Sequence, residues 1–385
     1  MSKLGLYLHV PFCVRKCHYC DFYSAPTDKG ARTAYVRALC RHLEAEAASL
    51  GARAVDTVYF GGGTPTLLEA QDFQQILDVI RTCYRLEPDA EITAECNPIT
   101  NADGLLEGLR RAGVNRLSIG LQSARDEELR LLGRPHDYAA FLATYRAARL
   151  AGFDNISVDL MFGIPSQTVE SFSETVETVL ALAPEHISAY GLRIEEGTPF
   201  YDMRGKLTLP SEDDEAEMAE LVAGKLTAAG FEHYEISNYA RATRRSQHNM
   251  RYWLGEDYLG FGPGAHSCLD SVRFSTAPDT TAYIKTVSEG RFSALREEAH
   301  HVVGKELQDE YVMLRMRLFE GIALADFSHR FGTSFENAYG DVAALVSAGF
   351  LQKTRERIAF TEKGMRVSNA ILSDWLDFGE GGASL

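Results

Sequence analysis

Apolar and polar positions repeat a strand-then-helix order along the first part of the chain. Leu6-Tyr-Leu-His-Val10 reads as a short strand, and Thr33 to Leu50 then puts Val36, Leu39, Leu43, Ala47 and Leu50 on one helical stripe. Thr57-Val-Tyr-Phe60 is the next strand, followed by a helix with Phe73, Ile76, Leu77 and Ile80 at spacings of three and four. The order continues through strand Glu91–Cys96, helix Asp103–Ala112 and strand Arg116–Gln122. Helices Asp126–Leu132 and Tyr138–Ala151, strand Ile156–Phe162, helix Val169–Leu182, strand Ile187–Leu192 and helix Asp213–Ala229 complete it. Such a succession predicts an α/β fold, a parallel sheet covered by helices, either doubly wound or closed as a barrel. In both, functional residues collect at the carboxyl ends of the strands.

From about Phe231 to Ser267 the alternation loosens into an aromatic- and glycine-rich stretch. After Glu297 the pattern turns helical, with Leu307–Phe319 and Ala323–Phe331, then a β-ribbon around Gly349–Lys353 and Arg357–Gly364 and a last helix. Helices followed by a ribbon resemble a winged-helix module, a likeness that assigns no function by itself. The expected organisation is a core over 1–230, a connecting, ligand-binding segment over 231–296 and a mainly helical C-terminal unit over 297–385.

Composition narrows the function classes. A net charge of −15 argues against nucleic acid as a partner, since phosphate contacts need clustered Lys and Arg. No basic N-terminal segment with an apolar core and no run of 18 apolar residues appears, so a cytoplasmic protein is expected. Seven cysteines in such a chain point to metal or redox chemistry over disulfides.

Three of those cysteines form Cys13-Val-Arg-Lys-Cys17-His-Tyr-Cys20, directly after the first strand. Soft thiolates select zinc or an iron–sulfur cluster. Either normally takes four protein ligands, so three leave one coordination position for something that is not protein. Gly61-Gly-Gly63-Thr-Pro65 follows the second strand, where glycines let backbone approach a ligand, although a tight strand-to-helix turn is the plainer explanation. The ending Lys-Ser/Thr of a phosphate-binding P-loop is missing. Glu95, Gln122 and Asp159 lie at the ends of later strands. Cys40, Cys83 and Cys96 read as small packing residues, His9 as a residue that orients the site, and His300-His301 as a solvated helix start.

The spacing C-x3-C-x2-C with Tyr19 before the last cysteine resembles the radical S-adenosylmethionine superfamily. The likeness extends to the oxygen-independent coproporphyrinogen III oxidase family and its haem-chaperone branch, HemW. It covers roughly Leu4 to Trp375 and rests on Gly61–Pro65, Ala94-Glu-Cys-Asn-Pro98, Ser118-Ile-Gly-Leu-Gln-Ser123, Leu132-Gly-Arg134 and Val158-Asp-Leu-Met-Phe-Gly-Ile-Pro165. The resemblance implies a partial (β/α)6 barrel with a C-terminal mainly helical, winged-helix-like domain. It implies a [4Fe–4S] cluster on Cys13, Cys17 and Cys20, with S-adenosylmethionine on the open iron. Carried over, the cofactor's holders are Tyr7, Tyr19, Gly62, Gly63, Thr64, Glu95, Gln122, Arg134 and Asp159. An electron donor to the cluster is implied as a partner.

Two segments separate the branches. The coproporphyrinogen oxidase pattern has a fourth cysteine two residues after the third, where this chain has Phe22. Gln247-His248-Asn-Met-Arg-Tyr252-Trp253 matches the H-N-x-x-Y-W segment of the haem-chaperone branch, and Gly262-Pro-Gly-Ala-His266-Ser its glycine–histidine segment. Haem wants an axial imidazole or thiolate and aromatic walls, so His248, Tyr252, Trp253 and His266 are the candidate haem residues, with Cys268 behind them. The plainer reading of His248 is a residue that bonds its own loop, with Tyr252 and Trp253 as core. The function implied is haem delivery to an acceptor protein, with loose membrane contact during delivery. Its rivals are coproporphyrinogen III dehydrogenase and another radical enzyme of tetrapyrroles.

Overall fold

The structure is a computed structural model that describes residues 3–26, 28–50, 53–98 and 104–376. Six strands run parallel in sequence order: β1 (Leu4–Val10), β2 (Ala54–Gly62), β3 (Arg85–Cys96), β4 (Arg116–Gln122), β5 (Ile156–Phe162) and β6 (His186–Gly191). The helices between them are α1 (Lys29–Leu50), α2 (Ala70–Cys83), α3 (Leu105–Ala112), α4 (Asp126–Leu131), α5 (Tyr138–Leu150) and α6 (Val169–Leu180). After β6 come α7 (Pro199–Met203) and α8 (Glu212–Ala228). The expected start of the third helix, Asp103, lies outside the described residues.

Strand alternation explains the partial barrel. Leu6, Leu8, Val58, Phe60, Ile92, Leu117, Ile119, Val158, Leu160 and Ile187 join one buried core with the helices. The intervening positions are polar and also buried, among them Thr57, Glu91, Thr93, Arg116, Ser118, Ser157, His186 and Ser188. Adjacent residues on a strand face opposite sides, so a polar face opposes the apolar, helix-covered one. Polar groups shut away from water need hydrogen bonds or a ligand.

The 231–296 stretch departs from the sequence expectation. It is not a separate connecting unit but lengthens the same sheet at both edges, to twelve strands. β7 (Glu232–Glu235) and β8 (Asn238–Ala240) form a hairpin antiparallel to β6. Helix α9 (Gln247–Leu254) then crosses to the opposite edge. There β9 (Tyr258–Phe261) lies parallel to β1, followed by β10 (His266–Leu269), β11 (Val272–Ser275), helix α10 (Thr280–Ser288) and β12 (Glu297–His301). Phe231, Tyr239, Leu259, Phe261, Tyr283 and Leu295 belong to the main core. Strands of four residues carry too little periodicity to register as strands, hence the misreading. The His300-His301 pair sits on β12 and does not start a helix; His300 Nε2 meets Glu306 at 2.8 Å.

The C-terminal unit has its own core around Tyr311, Phe327, Phe335, Ile358, Phe360 and Leu372. Helices α11 (Gly304–Arg315), α12 (Leu324–Phe331), α13 (Phe335–Tyr339) and α14 (Ala343–Ser347) precede a small antiparallel sheet. That sheet orders β13 (Ile322–Ala323), β15 (Arg357–Phe360) and β14 (Leu351–Lys353), and α15 (Glu362–Arg366) and α16 (Ser368–Trp375) close the unit. Helices plus a ribbon make the winged-helix-like arrangement.

Candidate functional site

The cysteine loop crosses the carboxyl end of β1 and is held there by backbone. Gly63 N donates to Val10 O at 2.8 Å and Thr64 N to Phe12 O at 2.7 Å, so the glycine turn after β2 is stitched to the cysteine loop. A side chain on Gly63 would place its Cβ 2.5 Å from the Phe12 carbonyl oxygen. Gly62 has φ of 103°, and a Cβ there would strike the His9 ring at 2.7 Å. Glycine at these two positions is thus demanded by loop packing before any ligand is considered. On the far side Arg15 Nη2 donates to the carbonyls of Gly133 and Arg134 at 2.8 and 2.9 Å.

Cys13, Cys17 and Cys20 line a cavity of about 390 Å³ over the strand ends, with Tyr19, Gly62, Gly63, Thr64, Glu95, Gln122, Arg134 and Asp159 on its other walls. Cys13 Sγ lies 3.6 Å from Thr64 Oγ1, and Arg134 Nη1 donates to Cys17 Sγ at 3.6 Å. Burial pushes the Cys20 thiol up to about 11, an environment in which a thiolate needs a cation partner. Among the described residues no group of three or more His, Cys, Asp or Glu converges on a single ion. Three thiols around a volume larger than one ion suit a cube whose irons each take one sulfur. The residues present therefore fit a cluster with one open corner.

The remaining walls are charged and polar. Glu95 accepts from the Tyr59 hydroxyl at 2.9 Å and from the Gly62 N–H. It faces the cavity on one side and protein on every other, and burial pushes its carboxyl up to about 7. Asp159 accepts from Ser118 Oγ at 3.0 Å on both oxygens, and burial raises it as well. Gln122 ends β4 beside a register shift with φ of 71°, a left-handed conformation that side chains rarely adopt. Arg134 Nη2 donates to Gly120 O at 2.8 Å, and its Nε has no partner. Tyr7 is not on the cavity wall. It bonds His9 Nδ1 at 3.2 Å and stacks on Tyr59 at 6.1 Å, one layer behind.

Sequence reasoning passed over Arg116. It is 1% exposed, its Nε is without a partner, and its guanidinium faces the cavity among Tyr59, Glu95 and Asp159. The signal was an arginine at the first position of a fully internal strand, an expensive residue to bury without purpose.

The four candidate haem residues are not brought together. His248 is 1% exposed, its Nδ1 is 2.8 Å from Thr57 Oγ1 and its Nε2 is 2.9 Å from Tyr252 Oη. Burial holds that imidazole down to about 3, hence neutral, and both ring nitrogens are occupied. In this conformation His248 bridges Thr57 and Tyr252, so axial ligation by its imidazole requires one of those two bonds to open. Trp253 lies on a different cavity wall, tied to Glu235. His266 is exposed at the start of β10, close to His9.

Residues 7–179 match the radical SAM superfamily, and residues 304–367 match the HemN C-terminal domain. The heme chaperone HemW of Bacillus subtilis is 35% identical over 96% of this chain and 98% of its own length. The heme chaperone HemW of Escherichia coli is 35% identical over 98% of this chain and 99% of its own. Among solved structures, coproporphyrinogen III oxidase (HemN) from Escherichia coli has a TM-score of 0.85 at 24% identity, over 98% of this chain and 91% of that chain. This last likeness is one of fold.

Proposed function

This chain belongs to the heme chaperone HemW family of the radical SAM superfamily, and we propose that it binds haem and hands it to an acceptor protein. The observation that carries the reading is the near full-length match to relatives named heme chaperones, at both ends of the chain as well as over the cysteine loop. The residues then take these roles. Cys13, Cys17 and Cys20 hold a [4Fe–4S] cluster, with an electron donor as a second partner. The backbone of Gly62, Gly63 and Thr64 meets the methionyl end of S-adenosylmethionine, Glu95 accepts from its ammonium and Arg134 pairs with its carboxylate. Asp159 takes ribose hydroxyls, Gln122 and Tyr19 line the pocket, and Tyr7 backs it from behind Tyr59. When bound, the pair supplies one-electron reductive chemistry at the open iron.

Phe22 supports the chaperone over the dehydrogenase. It is 65% exposed beside the cluster loop, where the coproporphyrinogen oxidase pattern has a fourth cysteine. No helix among the described residues is long and apolar enough to cross a membrane. The setting we propose is cytoplasmic, with loose membrane contact at delivery.

The test is an anaerobic reconstitution of the cluster, followed by separate additions of coproporphyrinogen III and haem. The expected result is haem uptake near one per chain and its passage to an apo b-type haem protein, with no protoporphyrinogen. Protoporphyrinogen made at the expense of S-adenosylmethionine would overturn the reading in favour of the dehydrogenase.

A further inference from the structure

A second cavity, of about 500 Å³, opens at the amino end of β1, between α9, the end of β10 and helix α11 of the C-terminal unit. It shares no residue with the cysteine-lined cavity. Its volume lies within the ~300–1,000 Å³ of small-molecule sites.

The charges on its walls are unevenly matched. Each of its five carboxylates is paired with a guanidinium standing outside it, that of Arg53, Arg251 or Arg273. Arg315 and Arg330 are wall residues too, and among the described residues neither has a carboxylate or hydrogen-bond partner. Both guanidiniums lie against the Tyr311 ring, at 5.4 and 5.3 Å from its centroid, and Arg315 Nε is buried without a partner. Arg315 is half-buried, and a half-buried cation without a counter-charge is costly unless a ligand supplies one; Arg330 is exposed at the rim, where it is free to pair with the same ligand. Trp253, fixed through its indole by buried Glu235, gives a second aromatic wall, and the free thiol of Cys268 faces the same space.

Two unmatched guanidiniums, two aromatic rings and one thiol in a single cavity describe a site for a flat, apolar ligand with two carboxylates and a soft metal centre. We infer that haem docks here, its propionates on Arg315 and Arg330, its macrocycle against Trp253 and Tyr311, and its iron towards Cys268. The inference rests on the haem-chaperone reading and moves the cargo away from the cluster. It also accounts for Trp253, which the cysteine-lined cavity leaves unused.

The experiment uses the full chain and two probes, haemin and haemin dimethyl ester, whose carboxylates are blocked. Titrations are followed by the Soret band. The wild type should bind the ester at least about tenfold more weakly than haemin, because charge-assisted pairs are lost. The Arg315→Gln/Arg330→Gln variant should bind haemin about as weakly as the wild type binds the ester, and should no longer distinguish the two. Cys268→Ala should shift the Soret band away from a thiolate-ligated position while keeping the preference for haemin. Equal binding of both probes by the wild type overturns the site without any need for a variant to fold. An unchanged Soret band in Cys268→Ala overturns the iron ligand. If the wild type takes up and passes on haem while the arginine variant matches it, the site is wrong and the chaperone reading stands. If the wild type takes up no haem, both fall.

Discussion

At the scale of single residues, the site's working charges are set against stability. Glu95 is pushed up to about 7 by burial, eased by the Tyr59 hydroxyl and the Gly62 N–H and worsened by Asp159. An unfolded glutamate titrates near 4.3. Between those values the folded chain holds a proton that the unfolded chain has lost, so this residue's contribution to stability falls as pH rises and levels off above pH 7. Recognition of an ammonium needs the opposite, an ionised carboxylate. S-adenosylmethionine affinity should therefore rise with pH through about 7, and Glu95→Gln should abolish binding while stabilising the cofactor-free chain by about 1 kcal/mol at pH 8. Calorimetric titration and thermal melts at pH 6 and 8 measure both. A variant that binds normally, or is less stable at pH 8, would refute the assignment. Glu95 was legible because it ends a strand in a family motif. Arg116 was not, because it opens a strand, and only the assembled barrel turns it towards Glu95 and Asp159.

At the scale of elements, helix α9 is the clearest case of one motif with two readings. Its sequence matches a haem-chaperone segment, yet its place in the fold is a plug for the polar face of the sheet. The buried Glu91 carboxylate accepts the N–H groups of Gln247 and His248, both at 3.1 Å, which satisfies first-turn donors and matches the helix dipole. His248 then bridges Thr57 and Tyr252, and Arg251, 3% exposed, reaches the carbonyls of Lys3 and Asp257. His248→Ala leaves two hydroxyls unpaired in a buried place, so about 2–3 kcal/mol of stability should go while haem uptake persists. Denaturant midpoints and a haem titration on one preparation decide it. Lost uptake at unchanged stability would restore His248 as the iron ligand. Sequence singled the segment out by its resemblance. It did not show which way the imidazole points, because that depends on Thr57 and Glu91, some 160–190 positions away.

At the scale of the whole molecule, β1 to β6 could be read because each strand and helix is long enough to show its period, and each supplies its own share of one core. The joins could not. The two edges of the sheet and the second cavity exist only where distant segments meet. One join bears on how the chain unfolds. Ile236, from the turn between β7 and β8, packs into the C-terminal core, and its N–H donates to Arg317 O at 3.0 Å. Phe319 N donates to Tyr234 O at 3.2 Å, Glu235 and Leu318 form an antiparallel bridge, and His233 stacks on Tyr239 at 4.0 Å and meets the Phe319 ring at a tilt, at 4.2 Å. Arg317, 7% exposed, donates to Ser368 Oγ at 2.7 Å behind that bridge. Melting the C-terminal unit alone would expose the buried Glu235 to water and uncover α9, which packs against α11. The two cores should therefore unfold together, with equal calorimetric and van't Hoff enthalpies in one transition that moves as a whole when haem binds. Two resolved transitions, only one of them shifted by haem, would show that the units are energetically separate and that the join does not couple them.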